Sequence, residues 1–224
     1  MKRFVSICLS FLLLMAATPW GMGVDVTEVD PILVPVETGE EGIALSSDDW
    51  ECTVLDEESY KQFLIEDMGM GIDEAERKAQ EHFAKWGKFN ARASDYQTVL
   101  FSRYRHPGSF TRYEVRFGFV AVMTTGSTPL FVSIDSKYSN PVNSGGYTFD
   151  KGAQSAIITN STTVKMNYDG YVTVAVQNGY ATGSSISVSS LVGAGFQYST
   201  STSGTDYYRY YLSCYDTVRP SWVS

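Results

Sequence analysis

Residues 162–178 read Thr-Thr-Val-Lys-Met-Asn-Tyr-Asp-Gly-Tyr-Val-Thr-Val-Ala-Val-Gln-Asn, and their reading decides the fold. Val164 and Met166 alternate with Thr163, Lys165 and Asn167. Beyond Asp169-Gly170, Val172, Val174 and Val176 alternate with Tyr171, Thr173 and Ala175. Period-two alternation on both sides of an Asp-Gly predicts an antiparallel hairpin. As a two-residue turn, Asp169-Gly170 would oppose Met166 to Thr173 and throw the two apolar sets onto opposite faces. A three-residue loop, Tyr168-Asp169-Gly170, opposes Met166 to Val172 and Val164 to Val174 on one face, with Gly170 at the left-handed position. The stretch therefore predicts a half-buried hairpin within a β-sandwich or barrel.

The C-terminal segment follows the same logic. A three-residue loop Thr202-Ser203-Gly204 opposes Tyr198 to Tyr208 and Phe196 to Tyr210, gathering Phe196, Tyr198, Tyr208, Tyr210 and Leu212 on one side. Working back toward the N-terminus, Thr111–Met123 places Tyr113, Val115, Phe117, Phe119, Ala121 and Met123 on one face. Leu130–Tyr138 turns Leu130, Val132 and Ile134 inward, and Ser185–Val192 reads as a short strand carrying Ile186 and Val188. Strands and turns at short intervals from Tyr96 onward, with no helical pattern between them, predict a mostly β fold. The expected architecture is an antiparallel β-sandwich of immunoglobulin-like or jelly-roll type spanning residues 96–224.

Upstream of the sandwich, residues 56–95 read as a helical hairpin. Asp56 caps a first helix that Gly69 and Gly71 stop. Asp73, with Glu76 three residues on, opens a second. Ala75, Ala79, Phe83 and Trp86 form one apolar stripe, which is too little to hold a core alone, so the hairpin is expected to pack on the β domain. His82 reads as a surface residue at the helix edge. Residues 24–55, with Pro31, Pro35, Gly39 and Gly42 among scattered acids, read as an acidic flexible arm.

The first 23 residues have the form of a signal peptide. Lys2 and Arg3 precede the apolar run Phe4–Met15, and small residues between Ala17 and Gly23 offer cleavage positions. No other stretch is long enough to span a bilayer, so the expectation is a secreted, extracellular protein. Cys52 and Cys214 remain after cleavage, and in an oxidising compartment their expected state is a disulfide.

The formal charge of −8 is unevenly spread: residues 24–58 hold twelve acids and no Lys or Arg, whereas residues 97–224 hold six acids and nine basic residues. Neither part has the basic footprint of a nucleic-acid binder.

Chemistry-bearing motifs are sparse. His82 and His106 lack ligand partners at useful spacing, and Asp169 belongs to no calcium loop, so neither a metal nor any other cofactor is expected. No Gly-x-Ser-x-Gly occurs. A glycosidase would have to draw two carboxylates from Glu114, Asp135, Asp150, Asp169, Asp206 and Asp216. The most suggestive surface is the reverse face of the last strand, with Tyr207, Arg209, Tyr211 and Tyr215 opposite Gln197 and Ser199. Rings beside an Arg and amides suit stacking and orienting a ligand. The competing reading of that face is plain packing beneath the helical hairpin. These features point to a non-catalytic exported protein that binds a glycan or a cell-surface protein. The alternatives are a secreted hydrolase using acids of the β region, or a secreted toxin, bacteriocin-like factor or inhibitor acting through its helices or arm.

Overall fold

The computed structural model describes residues 32–36, 45–47, 50–86, 96–125, 128–143 and 145–222. The elements are β1 (Ile32–Val36), β2 (Leu45–Ser47), β3 (Trp50–Leu55), α1 (Glu57–Glu66), α2 (Ile72–Trp86), β4 (Tyr96–Arg105), β5 (Val115–Thr124) and β6 (Phe131–Pro141). They continue with β7 (Tyr147–Asn160), β8 (Thr163–Gln177), β9 (Tyr180–Ala181), α3 (Val188–Gly193), β10 (Gln197–Thr202) and β11 (Thr205–Trp222). The expected signal peptide lies outside the described residues, as does much of the expected arm. Within the range of that arm, however, β3 is a buried strand, with Trp50 and Cys52 in the core. Its alternation is short, and the surrounding acids mask it. Among the described residues no helix is long and apolar enough to cross a membrane.

Two sheets pack face to face. One is a meander in the order β2-β3-β4-β5-β6. The other runs β1-β11-β8-β7, with β10 and β9 added to β11 and β8. Neighbours are antiparallel except that β1 runs parallel to the end of β11. Between the sheets lie the inward residues of both. Phe101 stacks on Phe119 at 4.9 Å, Phe117 meets Phe149 edge-on at 5.5 Å, and the Tyr168 hydroxyl donates to the Gly118 carbonyl at 2.7 Å. Each fully buried ring or aliphatic side chain contributes about 1.5–3 kcal/mol by leaving water. The expected mostly β sandwich preceded by a helical hairpin is the observed architecture.

The deciding stretch is not a hairpin. Thr163–Gln177 is one continuous strand paired on both sides, to β7 and to β11. Its true hairpin lies one step earlier, where Asn160 pairs with Thr163 and the Asn160 side chain accepts from the Thr162 N–H at 3.0 Å. Gly170 sits mid-strand because a Cβ there would come within 2.5 Å of the Asp150 carbonyl and of the Phe149 ring. It is a clearance for packing rather than a turn. The apolar set stays on one face throughout, since Val164, Met166, Tyr168, Gly170, Val172, Val174 and Val176 share one parity and are all buried.

The last hairpin keeps the expected opposition of Tyr198 to Tyr208 by another route. Its turn is the two-residue Ser203-Gly204, both at positive φ, and a bulge at Ser199 restores the register. That backbone matches the twist of the flanking strands. Tyr198 is nonetheless 58% exposed. Two further expectations change. In β6 irregular pairing opposite Val120–Met123 sends Phe131 into the core and leaves Val132 exposed. Around Ser187 the chain forms the short helix α3, because the Ser187 hydroxyl caps it by accepting from the Ser190 N–H, and only Leu191 is fully buried.

The helices cover the outer face of the meander sheet. Tyr60, Phe63, Leu64, Ala75 and Ala79 pack on Leu100, Val120 and Tyr138. Asp56 caps α1 as expected, accepting from the Ser59 N–H at 2.7 Å. α2 begins at Ile72, so Asp73 lies inside the first turn, where its charge complements the helix dipole, rather than at the cap.

The two cysteines are both buried thiols in the inter-sheet core and are not bonded. Strand direction gives the reason. Tyr113, just ahead of β5, packs on Tyr147 and Phe196, opposite the start of β11, whereas Asp216 near its end meets Arg103, whose strand partner is Phe117. β5, and therefore β3, thus runs in the same direction as β11. The Trp50 Nε1 donates to Asp216 Oδ2 at 3.1 Å. Cys52 lies two residues beyond Trp50 and Cys214 two before Asp216, which displaces them in opposite directions by about 7 Å each along the strands. That separation exceeds disulfide reach. Burial, and then the Glu51 carboxylate, push the Cys52 thiol well above its ordinary value.

Candidate ligand-binding face

The outward parity of β11 carries Tyr207, Arg209, Tyr211 and Tyr215, as expected, and the same parity of β8 brings Tyr171 opposite Tyr211 and Thr173 opposite Arg209. The helices pack on the other sheet, so this face does not lie beneath them. The Tyr171 and Tyr211 rings meet edge-on at 5.5 Å, and both residues are about half exposed, at 45% and 53%. The Arg209 guanidinium lies 5.9 Å from the centre of the Tyr171 ring and pairs with Asp150 of β7 at 3.1 Å. Asp150 also accepts from the Thr173 hydroxyl at 2.9 Å. Both partners of the ion pair are nearly half exposed, so water screens it to about 0–1 kcal/mol of stability. Its effect is on charge and orientation.

A cleft of about 420 Å³ opens beside these groups, where β10 begins alongside β11. Tyr171, Tyr198, Tyr210 and Tyr211 line it, together with Gln197, Ser199 and Arg209. Of the four residues singled out in the sequence, Arg209 and Tyr211 lie in the cleft. Tyr207 is half-buried and does not line it, and Tyr215, though 68% exposed, stands farther along the strand. Tyr171 has the outward parity that the alternation gives it, and only the pairing of β8 with β11, which no local pattern shows, brings it beside Tyr211. Asp169 is fixed by accepting from the Ala153 N–H at 2.7 Å. Partial desolvation, and then the Asp169 carboxylate, raise the Tyr211 phenol above its ordinary value.

A second cleft, of about 440 Å³, lies between α1 and β4, with Leu55, Phe63 and Leu100 at its base and Glu58, Glu66 and Asp67 at its rim. Those carboxylates are engaged by Lys61, Gln62 and Arg116 respectively. Neither cleft is lined by acids of the β region, the arrangement a glycosidase would need. Among the described residues, no group of three or more His, Cys, Asp or Glu is placed to hold a metal ion.

A buried polar cluster lies under the helices. His82 is buried rather than at the surface. Its Nε2 is 2.8 Å from the Thr98 hydroxyl and its Nδ1 3.3 Å from Asp135, while Tyr60 donates to the other Asp135 oxygen and its ring stacks on the imidazole at 4.6 Å. Burial pushes the Asp135 carboxyl up, but the hydrogen bonds from His82 and Tyr60 outweigh it and hold the group below its ordinary value. Carboxylate, imidazole and hydroxyl stand in the order of a nucleophilic relay. Thr98 is 4% exposed, however, and no member lines either cleft. The cluster fastens α1 and α2 to β4 and β6.

No family model matches the chain, and no curated protein or solved structure matches it.

Proposed function

We propose that this is an exported, non-catalytic protein that binds an extracellular or cell-surface ligand, a glycan rather than a protein, on the open face of its C-terminal sheet. The observation that carries the reading is the cleft where Tyr171 and Tyr211 stand half exposed beside Arg209, on a face the helices leave bare. Tyrosine faces stack on the apolar patches of a sugar ring, and their hydroxyls, with Gln197 and Ser199, supply the donors and acceptors that orient it. Export rests on the charged, apolar and small-residue order of the first 23 residues.

The test is retention of the purified protein on insoluble polysaccharides and peptidoglycan. A Tyr171→Ala/Tyr211→Ala double variant should lose retention while keeping the fold, because both side chains are about half exposed and lie on the face away from the core. Retention unchanged in that variant removes the site. Sequencing the N-terminus of the exported protein should find it between Ala17 and Gly23, and an uncleaved Met1 refutes the export reading.

A further inference from the structure

We infer that the cleft selects an uncharged glycan and that Asp150, outside the cleft, sets that selectivity by occupying Arg209. The inference rests on the binding site proposed above and names its ligand class.

Arg209 is the charged side chain of the lining, and it is already engaged. Asp150 holds it at 3.1 Å, and the guanidinium lies 5.9 Å from the centre of the Tyr171 ring. Asp150 is itself oriented by the Thr173 hydroxyl, so the pair is braced by two strands of the sheet, β7 and β8. The remaining groups that meet a ligand are neutral: phenols, an amide and a hydroxyl. Asp169, the other carboxylate of this face, is turned to the Ala153 N–H and to Tyr211.

A carboxylated or sulfated sugar entering the cleft would meet a guanidinium whose charge Asp150 already balances and would lie near that carboxylate. A neutral sugar leaves the pair intact, and its hydroxyls meet groups that both donate and accept. Charge complementarity here therefore means electroneutrality, and negative selection against anions comes from Asp150.

The experiment is affinity electrophoresis in gels holding one polysaccharide each. The neutral set is β-1,3-glucan, mannan, galactan, dextran and glycol chitin, and the anionic set is polygalacturonate, alginate and hyaluronate. The wild-type protein should be retarded by at least one neutral polymer and by none of the anionic ones at physiological salt. The Tyr171→Ala/Tyr211→Ala variant should be retarded at least tenfold less. Asp150→Asn frees Arg209 and should gain salt-sensitive retardation by anionic polymers, while Asp150→Asn/Arg209→Gln should lose that gain. Thermal melts of each variant show whether the fold is kept.

Wild-type retardation by anionic polymers that the tyrosine variant abolishes overturns the ligand class while the site stands. Neutral retardation indifferent to the tyrosines removes the site itself. Retardation by no neutral polymer, or an Asp150→Asn variant that gains nothing on anions, overturns the inference.

Discussion

Replacing Asp216 with alanine should be among the most damaging single changes available to the fold. Asp216 is 6% exposed and joins the two sheets: it accepts from the Trp50 indole at 3.1 Å, pairs with Arg103 and accepts from the Thr217 N–H at 2.8 Å. Removing the carboxylate takes the Asp216 charge away from a buried guanidinium. Breaking one side of a buried pair costs about 3–5 kcal/mol, a large share of the roughly 5–15 kcal/mol that separates native domains from the unfolded chain. An Arg103→Met/Asp216→Leu double variant removes both charges of the pair and takes the acceptor from the Trp50 N–H, at about 1–3 kcal/mol. The double variant should therefore be more stable than the single one. Urea denaturation followed by tryptophan fluorescence measures both. A single variant within about 1 kcal/mol of wild type, or a double variant less stable than the single, would refute the argument that this pair joins the sheets.

Three further outcomes follow from the geometry. The Asp135 carboxyl is lowered from its ordinary value of 3.8, so its contribution is fully present above that value and is lost as pH falls through its folded one. Asp135→Asn should cost about 1–3 kcal/mol at neutral pH, and in acid urea titrations it should flatten the fall in stability below about pH 4. A variant as acid-sensitive as wild type removes Asp135 from the helix latch. Gly170→Ala should destabilise by about 1–3 kcal/mol through its clash with Phe149 and the Asp150 carbonyl, and a neutral effect in thermal melts would contradict the mid-strand clearance. Finally, Cys52 and Cys214 should resist alkylation in the folded protein and each take one adduct after non-reducing denaturation, read by mass spectrometry. Absence of both adducts would mean that the thiols are bonded.

Much of the outward face was legible before the structure because parity along a strand survives an error in where the strand ends. Arg209 and Tyr211 lie on the expected side of β11 although the turn before it has two residues instead of the expected three. Tyr171 shares that outward parity, but only the pairing of β8 with β11 sets it beside Tyr211, and Asp-Gly carries the same local signal whether the glycine bends the chain or makes room for a ring. Gly170 does the second, and only the Phe149 ring across the sheet decides it. His82 was misplaced for a related reason. On the helix alone it borders the apolar stripe, and it becomes interior when Asp135 and Thr98, more than a dozen residues away, come to meet it.

What the amino-acid order determined by itself was therefore periodicity: which residues share a face, where helices give way to strands, and that acids crowd residues 24–58. These are properties of neighbours along the chain, set by backbone geometry and solvation. Tertiary structure decided which faces meet. It directed the helices to the meander sheet and left the tyrosines of the other sheet open. It also ran β3 and β11 in the same direction, so that Trp50 meets Asp216 and the cysteines pass one another, and it set Asp150 against Arg209. Each of these turns on contacts between residues distant in sequence, whose energies depend on register and direction that no local pattern encodes.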